Sequence, residues 1–240
     1  MEPFRFKRFV AAHGRSAMQI STDSVLLGAW VHGPEETPLR ILDVGTGCGI
    51  LALMMAQRFP DACIDAVEID EDSAQEAAEN MSCSPWADRL QVHHADFRHY
   101  LAKDKYDLII TNPPYFHGSL KNPDRRRSIA RHGGKEGLTH EALLTGVSDL
   151  LAENGVFALV LPFVLSGTFF PLALQDADSL YLRRYTRVYT RGDRNPVRIL
   201  AEMGRKQIPV KDEMLSLYGE GVMGYSPQYV ELVRDFYLWA

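Results

Sequence analysis

A chain of 240 residues has room for one sizeable core, and 46% hydrophobic with 24% charged residues is an ordinary soluble globular balance. The three cysteines, Cys48, Cys63 and Cys83, lack the number and spacing of a disulfide framework or a zinc site; no metal is expected, and a reducing cytoplasm is the expected location. A net charge of −5 speaks against a polyanionic partner, yet residues 121–135 and 183–198 each carry +5 and residues 2–15 carry +3, leaving −18 elsewhere, so a local basic surface is expected.

The opening MEPFRFKRFV lacks the apolar centre of a signal peptide. Residues 1–38 precede the first clear strand pattern and read as a cap segment on a single domain spanning 1–240. Apolar runs suited to buried strands then recur at 40–44, 63–69, 90–94, 106–111 and 156–161, with two more near 182–189 and 197–203. Helical patterns fit 49–59, 72–82, 139–151 and 229–238. Ser73-x-x-Glu76 offers a capping box for the second, and Ser226-Pro227 a start signal for the last. The uncharged stretch 156–174 imitates a membrane span, but Pro162, Gly167 and Pro171 interrupt it, so it reads as strand, turn and helix. Strands alternating with helices predict an α/β fold built on a doubly wound, mostly parallel sheet of seven strands. The long segment 112–137 is an insertion into that pattern.

The first strand ends in Ile41-Leu42-Asp43-Val44-Gly45-Thr46-Gly47-Cys48-Gly49-Ile50. Glycines here let the chain turn sharply and bring backbone N–H groups close to a ligand. Ile50 stands where a dinucleotide fingerprint needs its third glycine, which disfavours a dinucleotide oxidoreductase. The pattern instead resembles the glycine motif of class I methyltransferases, which implies S-adenosylmethionine as cofactor and a Rossmann-like sheet. Asp43, Gly45, Gly47 and Gly49 are its candidate residues. At the next strand tip Glu68 can accept both hydroxyls of a ribose, while Asp70 can cap the following helix. Asp96, after the third strand, is placed for a cofactor adenine amine, with Phe97 beside the ring; a plain helix cap is the alternative for Asp96.

The fourth strand runs into Asn112-Pro113-Pro114-Tyr115. This resembles the (D/N/S)-P-P-(Y/F) motif of methyltransferases that act on amino groups conjugated to a ring or carbonyl. Such a nitrogen delocalises its lone pair and is a poor nucleophile. The Asn112 side-chain carbonyl and the Pro113 backbone carbonyl can each accept one amine hydrogen, favouring a tetrahedral nitrogen with its lone pair aimed at the methyl group. Tyr115 would stack on the target base. Asn112 thus borders both cofactor and substrate. Among the basic residues, Arg127 and Arg131 flank this loop, and Lys7, Arg183, Arg184 and Arg187 are further candidates for phosphate contacts.

Beyond these motifs the chain resembles, nearly end to end, the bacterial tRNA(Val) adenine-N6 methyltransferase family. The resemblance runs through Phe4-x-Phe6-Lys7-x-Phe9, Ala17-Met18, Thr22-Asp23, Leu26-Leu27-Gly28-Ala29-Trp30, Ser84-Pro85-Trp86-Ala87 and Asn112-Pro113-Pro114-Tyr115-Phe116. It continues through Arg127-x-x-Ala130-Arg131, Tyr225-Ser226 and Phe236-Tyr237-Leu238. It implies a cytoplasmic, monomeric enzyme that methylates the adenine just after the anticodon, and places Thr22 and Asp23 beside the methionine end of the cofactor, with a helix N-cap as the alternative. Gln19, where the family usually has lysine, and the arginines at 125–127 depart from the pattern and bear on the RNA contacts. The rival readings are N5-methylation of a protein glutamine, as on release factors, and methylation of another RNA base. The first usually requires a helical substrate domain ahead of the glycine motif, where this chain has about forty residues.

Overall fold

Strands that are apolar along their length must be covered on both faces, and among the described residues eight strands join in one sheet. The computed structural model describes residues 2–34, 39–113, 137–175, 179–192 and 194–240. A short antiparallel pair, β1 (Phe4–Arg5) and β2 (Val10–Ala11), comes first, followed by helix α1 (Thr22–Trp30). Then β3 (Arg40–Val44), α2 (Ile50–Arg58), β4 (Cys63–Glu68), α3 (Glu71–Ser82), β5 (Leu90–His94) and β6 (Tyr106–Thr111) alternate. The chain continues through α4 (His140–Leu150), β7 (Leu151–Pro162), α5 (Phe163–Leu172), β8 (Tyr181–Tyr189), β9 (Arg198–Gly204), β10 (Lys211–Ser216) and α6 (Pro227–Val233).

The sheet order is β10-β8-β9-β7-β6-β3-β4-β5. Only β9 runs antiparallel to its neighbours. From β3 the chain steps outward through β4 to β5, then returns to place β6 on the other side of β3. The carboxyl ends of β3 and β6 therefore flank the topological switch point, where open α/β sheets bind ligands. Alternate residues enter opposite core layers. Ile41, Leu108, Ile110 and Val160 pack under α1 and α2, while Leu42, Ile109, Phe157 and Leu159 pack under α4 and α5.

Four expectations change. The sheet has an eighth strand: β10, sequence KDEMLS, pairs only with β8 at the edge. Its charged residues hide it from a search for apolar runs and suit an edge that must not pair with other chains. Helix α5 follows β7 directly, with Pro162 as its N-cap and no intervening turn. The last helix starts at the expected Ser226 cap but ends at Val233, well short of 238. Tyr237 and Trp239 stack at 5.1 Å instead, a pairing that residues two positions apart in a helix cannot make. The cap of α3 is Asp70, whose side chain accepts from the Ser73 amide at 2.9 Å, so Ser73 and Glu76 do not form a capping box. No helix among the described residues is long and apolar enough to cross a membrane.

Candidate active site at the carboxyl ends of the strands

The turn after β3 is built from its glycines. Gly45, Gly47 and Gly49 all have positive φ, and a Cβ at Gly45 or Gly47 would meet nothing within 4 Å. Their requirement is thus one of backbone conformation, and the space over the turn stays open for a ligand to approach the peptide groups. Asp43 lies beneath, fully buried. Its Oδ2 accepts from the Thr46 hydroxyl at 2.5 Å and from the Ala52 amide at 3.1 Å, so it does for α2 what a capping side chain would do. Burial pushes the Asp43 carboxyl up to about 7 against the pull of those two bonds. Its Oδ1 is buried with no hydrogen-bond partner among the described residues.

At the tip of β4, Glu68 Oε2 accepts from the Gly47 amide at 2.9 Å, and Oε1 accepts from the amides of Ile69 and Asp70 at 2.9 and 3.0 Å. One carboxylate thereby joins two strand tips. Asp70 faces away to cap α3. Past β5, Asp96 caps a short 3-10 turn and forms a forked ion pair with Arg98, its Oδ2 lying 2.6 Å from Arg98 Nη2. The cap reading of Asp96 therefore holds structurally, and the guanidinium keeps its carboxyl below the usual range. Phe97 is a correction: its ring is buried in the core against Gly146, under α4, not beside the crevice.

At the end of β6, Thr111 donates its hydroxyl to Val44 O at 2.8 Å, fastening this strand tip to that of β3. Asn112 follows, and its Nδ2 donates to Ser24 Oγ at 2.9 Å and to Ser21 Oγ at 3.4 Å. Ser21 is the N-cap of α1, so neither Thr22 nor Asp23 has that role. Because the donor end of the amide is held by α1, Oδ1 is the atom through which Asn112 can accept from a substrate. Pro113 is buried; Tyr115, Arg127 and Arg131 lie outside the described residues. Thr22 and Asp23 lie between these two serines in the first turn of α1, and Asp23 Oδ2 pairs with Arg198 Nε at 2.8 Å.

A second tether escaped the sequence reading. Ser73, Glu76 and Asn80 project from one face of α3 onto the segment 12–17. The buried Glu76 carboxylate accepts from the amides of Gly14, Arg15 and Ser16 at 2.9, 3.1 and 2.8 Å. Asn80 donates to both Ala12 O and Cys48 O at 2.8 Å, linking that segment to the glycine turn. The available signal was a carboxylate on the same helical face as Ala77 and Asn80. Burial pushes the Glu76 carboxyl up, but the bonds from Arg15, Ser16 and Gly14 outweigh it and hold it below its ordinary value. A carboxyl lowered on folding stabilises above its unfolded pKa of about 4.3, and that contribution disappears as pH falls through the folded value. Glu76→Gln should accordingly lower the thermal midpoint near neutral pH, with the gap to wild type closing in acid. A gap constant from pH 7 to pH 3 would contradict this.

The basic candidates fare differently from their expectation. Arg184 is buried, its guanidinium 3.7 Å from the Trp30 ring centroid and paired with Glu202 and Glu213 at 3.5 and 3.7 Å. It cannot reach a phosphate. Arg187 is held by both Asp212 oxygens at 2.9 and 3.0 Å, and Lys7 Nζ donates to the carbonyls of Arg234 and Ala240. Arg183 lies along Gly204, where a Cβ would come within 2.9 Å of its Nε. Arg184, Arg187 and Lys7 are thus tied to carboxylates or carbonyls of the fold itself.

The model of the Methyltransferase small domain family matches residues 20–162. The chain is 45% identical over 238 residues to the tRNA1(Val) (adenine(37)-N6)-methyltransferase of Bacteroides fragilis, covering 98% of this chain and 97% of that one. It is 41% identical over 239 residues to the protein of the same name in Yersinia pestis, covering 98% and 93%. Among solved structures, a predicted O-methyltransferase from Agrobacterium tumefaciens superimposes with a TM-score of 0.66 at 19% identity, covering 89% of this chain and 96% of that one. The ribosomal protein L11 methylase of Lactobacillus delbrueckii gives 0.53 at 19%, covering 77% of each. At these identities the structures show a shared fold.

Proposed function

The chain belongs to the family of the tRNA1(Val) (adenine(37)-N6)-methyltransferases, and on that premise we propose that it methylates the exocyclic N6 of an adenine in tRNA, with S-adenosylmethionine as methyl donor. The observation that carries the reading is Asn112, whose amide nitrogen is anchored to Ser24 at the tip of β6, one strand from the glycine turn. The open space over Gly45 and Gly47, the acidic tip at Glu68 and the Asp43 oxygen that has no partner among the described residues suit a ligand carrying both a ribose and a cationic group.

When bound, the cofactor would supply a sulfonium methyl to the amine nitrogen, with S-adenosylhomocysteine as the leaving group and the extra proton of the methylated amine lost to water. Glu68 would hold the ribose hydroxyls, and Gly45, Gly47 and Gly49 present backbone to the ligand. Asp96 takes the adenine amine through lone pairs left beside Arg98, while the backbone of Thr22 and Asp23, at the start of α1, borders the methionine end. Asn112 Oδ1 and the Pro113 carbonyl accept the two hydrogens of the target amine, drawing its lone pair out of conjugation. Both acceptors are neutral dipoles fixed before the reaction, so they favour the positive charge that grows on nitrogen without reorganising. Tyr115 stacks on the target base, and Arg127 and Arg131 meet the RNA backbone. The 1–38 segment caps the crevice, and the enzyme works as a cytoplasmic monomer.

The test is transfer of labelled methyl to purified tRNA, with the product digested to nucleosides. Label in N6-methyladenosine is expected. Label in another nucleoside, or in a protein glutamine and not in RNA, would overturn the reading.

A further inference from the structure

The two ends of the chain meet in a column of aromatic rings. Tyr218 stacks on Tyr225 at 5.2 Å and 17°, Tyr225 on Trp239 at 4.7 Å and 18°, and Trp239 on Tyr237 at 5.1 Å and 22°. Phe6 continues it from Tyr237 at 5.9 Å and 17°, and Phe9 from Phe6 at 4.6 Å and 20°. One end of the column closes against Trp86, but Tyr218 at the other end is 40% exposed. Its ring opens into a cleft of about 270 Å³ that also contains Arg198, Asp23, Thr190 and Leu26.

This cleft is separate from the position of the target amine. Asn112 directly follows β6, whereas Arg198 begins β9, two strands away, which at sheet spacing is roughly 10 Å. One turn of helix divides them: Ser21 and Ser24 face Asn112, and Thr22 and Asp23 face the cleft. The cleft is smaller than a drug-sized pocket of about 300 Å³ or more and suits one flat heterocycle. Its walls pair an aromatic face with a guanidinium that Asp23 holds at 2.8 Å. Proteins that read unpaired RNA stack a splayed base on an aromatic ring and hydrogen-bond its edge.

We propose that this cleft is a second nucleotide subsite, in which the base next to the target adenine stacks on Tyr218 with its polar edge toward the Arg198–Asp23 pair. The proposal rests on the tRNA reading above. The column supplies rigidity, because Tyr218 is backed by a ring at every step. It is fixed further by the Tyr218 to Thr190 O bond at 3.0 Å and the bridge to Tyr225. The ring therefore presents a face that needs no ordering when the base arrives.

The test uses an RNA hairpin carrying the target adenine in its loop, together with two hairpins made abasic at the nucleotide on either side. For the wild type, one abasic hairpin should raise KM for RNA by about 5- to 150-fold, the range for losing one base–aromatic stack. Tyr218→Ala should raise KM for the intact hairpin by a similar factor, leave KM for S-adenosylmethionine unchanged, and show no further loss on that abasic hairpin. Tyr218→Phe, which keeps the stack, should behave as wild type. Wild-type KM indifferent to both abasic positions would overturn the subsite without any variant having to fold. So would Tyr218→Ala that still suffers the full abasic penalty. If the wild type methylates no RNA at all, the tRNA reading falls and the subsite falls with it, an outcome distinct from either of the others.

Discussion

Replacing Asn112 by alanine is expected to lower methyl transfer by about 30- to 1,000-fold, equivalent to 2–4 kcal/mol of barrier, with little change in cofactor affinity. The side chain touches the reacting amine and the start of α1. Losing it leaves Ser24 with its neighbour Ser21, 3.2 Å away, so no buried group is stranded. A bond that strengthens as charge develops on nitrogen appears in kcat more than in KM for RNA. Ser24→Ala should give a smaller loss, since it only frees the amide to turn over, and the two losses should not add. Single-turnover methyl transfer with saturating RNA separates these effects from binding. Near-wild-type turnover by Asn112→Ala would remove the role assigned to this residue.

What could be read from the sequence was whatever the backbone alone enforces. Strands β3 and β6 lie where their apolar runs put them, because a parallel strand buried on both faces has no polar alternation to confuse it. The glycine turn was legible because positive φ at Gly45 and Gly47 restricts the residue type. Asn112 was legible as chemistry, since few roles need an amide and a proline together at a strand end.

The remainder depended on partners far apart in the chain. Arg184 reads as a surface cation until Trp30, Glu202 and Glu213 are brought around it, 154, 18 and 29 residues away along the sequence. Phe97 beside a candidate cofactor acid suggested a stacking ring, but the turn capped by Asp96 rotates it into the core. Glu76 looked like half of a capping box because the other end of its bonds, residues 14–16, lies about sixty positions earlier. Local patterns cannot distinguish a carboxylate facing water from one facing remote backbone. The N-terminal block was recognisable by resemblance alone; its position against Asn112 and the glycine turn follows from three side chains of α3 and two serines of α1.

Glu68→Ala is the other substitution expected to have a large effect, and it falls on binding rather than on turnover. A hydrogen bond to a charged group is worth about 1.5–3 kcal/mol, and the carboxylate is assigned two ribose hydroxyls. It also holds the Gly47 amide at 2.9 Å, so its removal loosens the turn that faces the same ligand. Affinity for S-adenosylhomocysteine should fall by about 3 kcal/mol, on the order of a hundredfold. Asp70→Ala is the control from the same strand tip. It removes the cap of α3, a loss of about 1 kcal/mol of stability, and should leave affinity nearly unchanged. Titration calorimetry with both variants, alongside thermal melts, assigns the ribose contact to one carboxylate or the other. Unchanged affinity in Glu68→Ala together with a loss in Asp70→Ala would move that contact to Asp70, and the turn would then owe its order to Glu68 for structural reasons only.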